Sequence, residues 1–211
     1  EIRPRDWSSD VCSSDLTQLE WLCKRRPNYL TAHSFVLNEV AKLALQRKQH
    51  IKLERIISIG TVLTDDIRKV CKMAFGVEPI DQYGAQETGL LACECPWCGR
   101  LHVNAETVLV EILDSDGKPC PPGEAGRVIV TSFYNYAMPL IRYEIGDFAA
   151  AAHEQPKCST RLPALEKIMG RYRNAFTLRN GRTIYPYVPV SHLQKYLSFA
   201  QVQIVQTDLT S

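Results

Sequence analysis

A short apolar run, a capped amphipathic helix and a second apolar run follow one another without a break between Arg55 and Ile80, and this succession constrains the fold more than any other stretch. Arg55–Ile59 reads as a short buried strand and Gly60 as a turn. Thr64, followed by Asp65 and Asp66, supplies an N-cap with acids in the first helical turn, where they meet the positive end of the helix dipole. Ile67, Val70, Cys71 and Ala74 form the helix's core stripe, Gly76 its C-terminal stop, and Val77–Ile80 the next strand. A strand–helix–strand unit of this kind belongs to an open α/β sheet, in which ligands bind beyond the carboxyl ends of the strands. The polar run Asp81-Gln-Tyr-Gly-Ala-Gln-Glu87 begins at such an end. Upstream, Val36, Leu37, Val40, Leu43 and Ala44 lay an apolar stripe along a helix from Ser34 to Lys48.

Downstream the pattern loses its helices. Val108–Leu113, an Asp114-Ser-Asp-Gly117 turn, a Pro-rich loop, Arg127–Thr131 and Pro139–Tyr143 read as strands and their connections. Phe176–Leu178, Asn180-Gly181 and Thr183–Tyr185 give a hairpin signal, with a short helix over Val190–Leu197 and a strand over Gln201–Gln206 beyond it. The fold class is therefore α/β, a strand-helix-strand sheet followed by a β-rich subdomain.

With 45% apolar residues, a chain of 211 residues buries a genuine core. Its 25 basic and 23 acidic residues are spread along the sequence, so nothing in the charge points to nucleic acid or a membrane surface, and small molecules are the expected partners. No apolar run approaches the ~20 residues that span a bilayer, and no signal-peptide pattern opens the chain, so a cytoplasmic location is expected. The opening EIRPRDWSSDVCSSDL stands apart: it lacks periodicity, repeats Ser-Ser-Asp at Ser8–Asp10 and Ser13–Asp15, and from Asp6 to Leu16 resembles the in-frame translation of a sequencing-library adapter. Residues 1–16, with Cys12, are read as non-native and left out of the fold.

Three of the other cysteines are packed into Cys93-Glu-Cys95-Pro-Trp-Cys98. Cys95-Pro-Trp-Cys98-Gly99 has the form of a zinc knuckle, whose turn aims two thiolates at one metal. Cys93 is close enough in sequence for a third ligand and Cys158 is the best distant fourth, with His102 or His153 as substitutes for one thiolate. Arg100, Lys157 and Arg161 would offset the negative charge of such a centre. A redox CxxC is the main rival; it needs its first cysteine at a helix N-terminus, whereas Gly99 and the β-rich run after it favour a turn between strands. Simple reduced thiols are the third reading. Catalytic zinc is disfavoured because closed thiolate sites leave no open coordination position. Cys23, Cys71 and Cys120 read as ordinary residues, Cys71 in the core.

Taken in order, DQYGAQETG at Asp81–Gly89, PGEAGRVIVT at Pro122–Thr131, PLIRYEIGD at Pro139–Asp147 and IMGRYRN at Ile168–Asn174 resemble the adenylate-forming ligase superfamily. RPNYL at Arg26–Leu30 and the cysteine insert after YGAQETG resemble its phenylacetate-coenzyme A ligase branch. The resemblance implies activation of a carboxylic acid by ATP to an acyl-adenylate, then transfer to coenzyme A. It places Tyr83 against adenine, puts Gly84 and Gln86 in the nucleotide-binding set, and gives Glu87 a share in holding Mg²⁺ at the phosphates. Asp147 would accept from both ribose hydroxyls and Arg171 would donate to the ribose. It also implies a large domain over 17–171 and a small α+β C-terminal domain starting at 172, hinged near Tyr172–Asn174, with Arg173 where the family usually has Asp. A homodimer is compatible with the family but carries no sequence signal.

The family's Ser/Thr/Gly-rich phosphate loop and C-terminal catalytic lysine have no counterpart: the first glycine is Gly60 and the chain ends at Ser211. The chain alone is therefore expected not to complete adenylation. Two other functions stay open: a zinc-stabilised binding module, and adenylation with transfer to an acceptor other than coenzyme A.

Overall fold

The computed structural model describes residues 15–154, 158–171, 176–181, 183–184 and 206–208. The first part of the chain builds α1 (Asp15–Arg25), β1 (Tyr29–His33), α2 (Ser34–Gln46), β2 (Arg55–Ile59), α3 (Asp65–Phe75) and β3 (Pro79–Ala85). Then come β4 (Gly89–Glu94), β5 (Leu101–Val103), β6 (Val108–Leu113), β7 (Ala125–Ser132), β8 (Tyr143–Ala151) and β9 (Ala164–Arg171). A separate antiparallel hairpin, β10 (Phe176–Thr177) and β11 (Thr183–Ile184), follows.

The expected strand–helix–strand unit is present as β2–α3–β3, with β2 and β3 parallel. Its helix starts where the sequence marks it. The Thr64 side chain accepts from the Ile67 N–H at 3.4 Å, and Gly76, at φ +81°, ends the helix in the left-handed region that glycine enters without steric cost. Ile67, Cys71 and Phe75 are buried, and Val70 and Ala74 pack partly against them. Leu37, Val40, Ala41 and Ala44 of α2 complete this helical core, and Ser34 ties α2 to the loop after β2 through Thr61 Oγ1 at 2.7 Å and the Val62 carbonyl at 2.9 Å. Burial pushes the Cys71 thiol up to about 12, as suits an inert core cysteine.

Nine strands form one mixed sheet in the order β1-β2-β3-β4-β5-β9-β8-β7-β6. β1 to β3 are parallel and every pair from β3–β4 onward is antiparallel. A second core, including Leu91, Val103, Val108, Val128, Val130, Ala149 and Leu165, lies among β4 to β9. The β-rich part is thus a continuation of the first sheet, joined through the short β5, which pairs with β9 only at Leu101↔Leu165 and His102↔Ala164.

Two expectations are corrected. The strand read as Val77–Ile80 is β3, which runs from Pro79 to Ala85: it continues through the polar run from Asp81 because β4 pairs with it from Gln82 onward, and this ladder, not an apolar pattern, holds it extended. Pro139–Tyr143 is not a strand. Its backbone stays irregular to Arg142, which has φ +50° and donates its N–H to Thr131 Oγ1 at 3.0 Å, and β8 begins at Tyr143. The hinge at Tyr172–Asn174, the helix over 190–197 and most of the strand over 201–206 lie outside the described residues, as does Lys157. Among the described residues no helix is long and apolar enough to cross a membrane.

One carboxylate in this frame carries a pH signature. Asp81 lies near Glu94, whose Oε2 accepts from the Asp81 N–H at 2.7 Å and from Arg68 at 2.9 Å. Burial, then the Glu94 charge, raise the Asp81 pKa to about 6, against the pull of Arg68 and the Gln82 N–H. Between these two values the folded state therefore holds a proton that the unfolded chain, near its ordinary 3.8, has released. The associated stability is present below about pH 4 and is lost as pH rises through about 6. Asp81→Asn is expected to flatten this dependence and to raise stability at pH 7 by on the order of 2 kcal/mol, read by urea unfolding at pH 4.5 and 7. An unchanged difference between the two pH values would show that Asp81 is ionised throughout.

Candidate functional site

Tyr83 lies on β3 and Asp147 on β8, with β4, β5 and β9 between them in the sheet. In a flat sheet that separation would be about 19 Å, at roughly 4.8 Å per strand. Yet the Tyr83 hydroxyl donates to Asp147 Oδ2 at 2.9 Å, so the sheet curls until these strands face each other. Arg171 is the register partner of Asp147 on β9, and its Nε lies 3.6 Å from Asp147 Oδ1. The Asp147 side chain is 14% exposed and that of Arg171 57%, so the carboxylate is sheltered while the guanidinium faces solvent. Burial, then the Asp147 charge and hydrogen bond, push the Tyr83 hydroxyl up, with Arg171 pulling the other way; the phenol stays protonated and serves as a donor.

Gly84 follows Tyr83 at a break in the β3–β4 register. A Cβ there would come within 2.8 Å of the Gly89 carbonyl oxygen, so only glycine lets the two strands close so tightly at this point. Beyond it Ala85–Thr88 form a turn closed by the Thr88 N–H on the Ala85 carbonyl at 3.3 Å, with Gln86 and Glu87 exposed at its centre. Tyr83, Asp147 and Arg171 are therefore in direct contact, while Gln86 and Glu87 project from the hairpin that continues Tyr83's strand.

A second cluster sits where the β4–β5 turn meets the β8–β9 connection. The donor atoms of Cys95, Cys98, His102 and Cys158 all lie within 4.8 Å of one another. His102 Nε2 is 3.2 Å from Cys158 Sγ and 3.6 Å from Cys98 Sγ. A tetrahedral zinc with bonds of about 2.0–2.3 Å sets its ligands roughly 3.3–3.8 Å apart, so the donor set fits that ion. The knuckle is formed by the Gly99 N–H donating to the Cys95 carbonyl at 2.8 Å and the Cys95 N–H to the Arg100 carbonyl at 2.9 Å. Gly99, at φ +68°, allows the tight return. His102 Nδ1 lies 3.1 Å from the Leu162 carbonyl, which fixes the ring as an Nδ1–H donor and leaves Nε2 facing the sulfurs. Burial works against the Cys95 thiolate, yet the Trp97 and Cys98 N–H groups and the Cys98 and Cys158 thiols outweigh it and hold this thiol below its ordinary value.

Of the sequence-derived ligands, Cys95, Cys98 and Cys158 come together and Cys93 does not join them. Cys93 is a ladder residue of β4, its thiol directed at the Glu94 carbonyl, 3.9 Å away, and pushed up by burial and then by the Glu94 charge. His102 takes the fourth place. The signal for it is its position just beyond Gly99, the turn residue of the knuckle, on a strand whose residues are all buried. His153 is elsewhere, its ring seated over Gly123 where a Cβ would collide with it. Arg100 is paired with Glu166. The first knuckle cysteine sits at the end of β4, not at a helix start, which removes the geometric basis of the redox reading.

No family model matches the chain. Over 142 residues it is 29% identical to phenylacetate-coenzyme A ligase of Thermus thermophilus, covering 65% of this chain and 32% of that protein. Over 193 residues it is 26% identical to protein CapK of Staphylococcus aureus, covering 89% of this chain and 41% of that protein. The chain thus spans about a third to two fifths of the curated relatives it matches. Among solved structures, 2-hydroxyisobutyryl-CoA ligase in its postadenylation state with R3-HIB-AMP superposes at a TM-score of 0.72 with 20% identity, over 82% of this chain and 38% of that one. The chain has the fold of the adenylate-forming CoA ligases. The anthranilate CoA ligase AuaEII in complex with anthranoyl-AMP shares it at a TM-score of 0.59 and 17% identity, over 82% of this chain and 35% of its own. The amide bond synthetase McbA of Marinactinospora thermotolerans does so at 0.57 and 18%, over 82% of this chain and 37% of its own.

Proposed function

We propose that the chain is part of an ATP-dependent acid:coenzyme A ligase of the phenylacetate-coenzyme A ligase type, which converts a carboxylic acid, such as an aryl acid, to an acyl-adenylate and passes it to coenzyme A. The observation that carries this reading is the contact of Tyr83 with Asp147 and of Asp147 with Arg171 across the curled sheet. A sheltered carboxylate accepts from the paired hydroxyls of a ribose, the exposed Arg171 donates to the same sugar, and the Tyr83 ring offers a face for adenine. Gly84 and Gln86 lie along the nucleotide, and Glu87, exposed at its turn, would help hold Mg²⁺ at the phosphates.

The reaction needs no protein nucleophile. A carboxylate oxygen attacks the α-phosphorus of ATP and pyrophosphate leaves; the coenzyme A thiol then attacks the acyl carbon and AMP leaves. Both steps gather negative charge, and positioned donors and cations lower their barriers. Cys95, Cys98, His102 and Cys158 would hold one structural Zn²⁺, which when bound cross-links the β4–β5 turn to the β8–β9 connection. In this reading the ligase activity, acting in the cytoplasm, needs a protein of the relatives' full length, of which this chain covers 32% and 41%, and the 211-residue chain alone is inactive.

Acid-dependent exchange of labelled pyrophosphate into ATP by that full-length protein, run over a panel of aryl and aliphatic acids, tests the proposal. Exchange with one acid class names the substrate. Its absence from folded, zinc-loaded protein would leave a zinc-stabilised binding module. The fold shared with an amide bond synthetase supports a second reading, transfer of the acyl group to an amine, which product analysis with and without coenzyme A separates.

A further inference from the structure

We propose that Tyr134 is a positioning residue that holds the Gln86–Glu87 turn in the pose from which Glu87 reaches a divalent cation at the nucleotide phosphates. The inference rests on the reading of Glu87 as a Mg²⁺-holding residue. Tyr134 belongs to the loop between β7 and β8, far from the turn in sequence, and its hydroxyl donates to the Thr88 carbonyl at 2.6 Å. Thr88 thereby has both main-chain groups committed, since its N–H closes the turn on Ala85. Its side chain is sealed in as well, at 2% exposure. The residue after Glu87 is therefore anchored through both of its main-chain groups, while its buried hydroxyl has no hydrogen-bond partner among the described residues.

The site is shaped to admit this hydroxyl. Gly89 has φ +70°, and a Cβ on it would lie 2.7 Å from the Tyr134 oxygen, so any other residue there would push the phenol off the Thr88 carbonyl. The ring itself does little packing: Tyr134 is 53% exposed. An exposed aromatic in a loop gains little from burial, so the residue's contribution lies in its hydroxyl. Glu87, for its part, makes no side-chain hydrogen bond or ion pair among the described residues, and its carboxylate is available to an incoming cation. A two-residue turn tip with nothing holding its side chains would wander; the bond from Tyr134 removes that freedom at the adjoining peptide group before the cation arrives, which is how preorganisation strengthens binding.

The test uses the full-length protein with Tyr134→Phe, with Tyr136→Phe, a neighbour that is 86% exposed, as control, and with Glu87→Gln. Two quantities are read: amide hydrogen exchange over residues 85–89, and the Mn²⁺ affinity of the ATP complex, followed by the electron paramagnetic resonance of unbound Mn²⁺. Loss of one hydrogen bond predicts amide exchange about five-fold faster at the turn and Mn²⁺ binding about five-fold weaker in Tyr134→Phe, with the melting temperature nearly unchanged and Tyr136→Phe like the parent. Mn²⁺ affinity unchanged in Tyr134→Phe while Glu87→Gln weakens it overturns this proposal alone, whatever the exchange rates. Mn²⁺ affinity unchanged in Glu87→Gln overturns the role of Glu87, and the role of Tyr134 falls with it.

Discussion

Cys158→Ala is expected to abolish zinc binding at the proposed centre and to lower the unfolding free energy of the zinc-loaded protein by roughly 3–5 kcal/mol, in the range reserved for lost metals and other large defects. The size follows from the position of this ligand. Cys95, Cys98 and His102 all belong to one hairpin, and only Cys158 comes from the connection between β8 and β9, 56 residues from His102. The metal would close that long loop, and the entropy of closing it is returned to the unfolded chain when the thiolate is gone. It would do so beside the β5–β9 seam, which two registered residue pairs hold together. Zinc content by atomic emission and urea unfolding check the prediction. Cys93→Ala is the control: it should keep one zinc per chain. Loss of zinc from Cys93→Ala, with retention in a His102→Ala variant, would restore the all-cysteine ligand set that the sequence pattern suggests.

Asp147→Asn is expected to weaken AMP binding by the full-length protein some 10- to 100-fold, because hydrogen bonds to a charged acceptor contribute about 1.5–3 kcal/mol where neutral ones contribute about 1. Asparagine keeps the shape and one acceptor oxygen for Tyr83 but removes the charge that would face the ribose hydroxyls and Arg171. Tyr83→Phe removes only the hydroxyl that donates to Asp147 at 2.9 Å, leaves the ring, and should cost a few-fold, of the order of one neutral bond. Isothermal titration with AMP distinguishes them. Equal affinity for parent and Asp147→Asn would remove the nucleotide reading from this cluster.

The local elements were legible where backbone rules and burial agree. β2 falls on its expected bounds because an apolar run between turn signals has one way to be buried, and α3 runs from its Thr64 cap to its Gly76 stop because both ends are written in side-chain chemistry. Illegible were the elements whose conformation is imposed by neighbours. The polar end of β3 is extended because β4 pairs with it, and β9, whose last four residues open the motif read for Arg171 and the hinge after it, is not read as a strand from the sequence, since its burial comes from β5 and β8 on either side. Pro139–Tyr143 has the apolar content of a strand, but Leu140 and Arg142 spend their main-chain groups on Ser132 and Thr131. The same limit applies to the sites. Spacing brings Cys95 and Cys98 to one cluster, whereas the presence of His102 in it and not Cys93 depends on side-chain direction. The contact of Tyr83 with Asp147 depends on the curl of a sheet, which no local pattern encodes.

The central claim, that a carboxylate oxygen attacks the α-phosphorus of ATP, is tested most directly by isotope transfer. The full-length protein is given ATP, coenzyme A and the acid that supports exchange, labelled with ¹⁸O in its carboxylate. Attack by that oxygen makes a carbon–oxygen–phosphorus bridge, and thiol attack on the acyl carbon leaves the bridging oxygen on the nucleotide. The account predicts AMP carrying one labelled oxygen and pyrophosphate carrying none. Unlabelled AMP, or ADP with the label in inorganic phosphate, would contradict it.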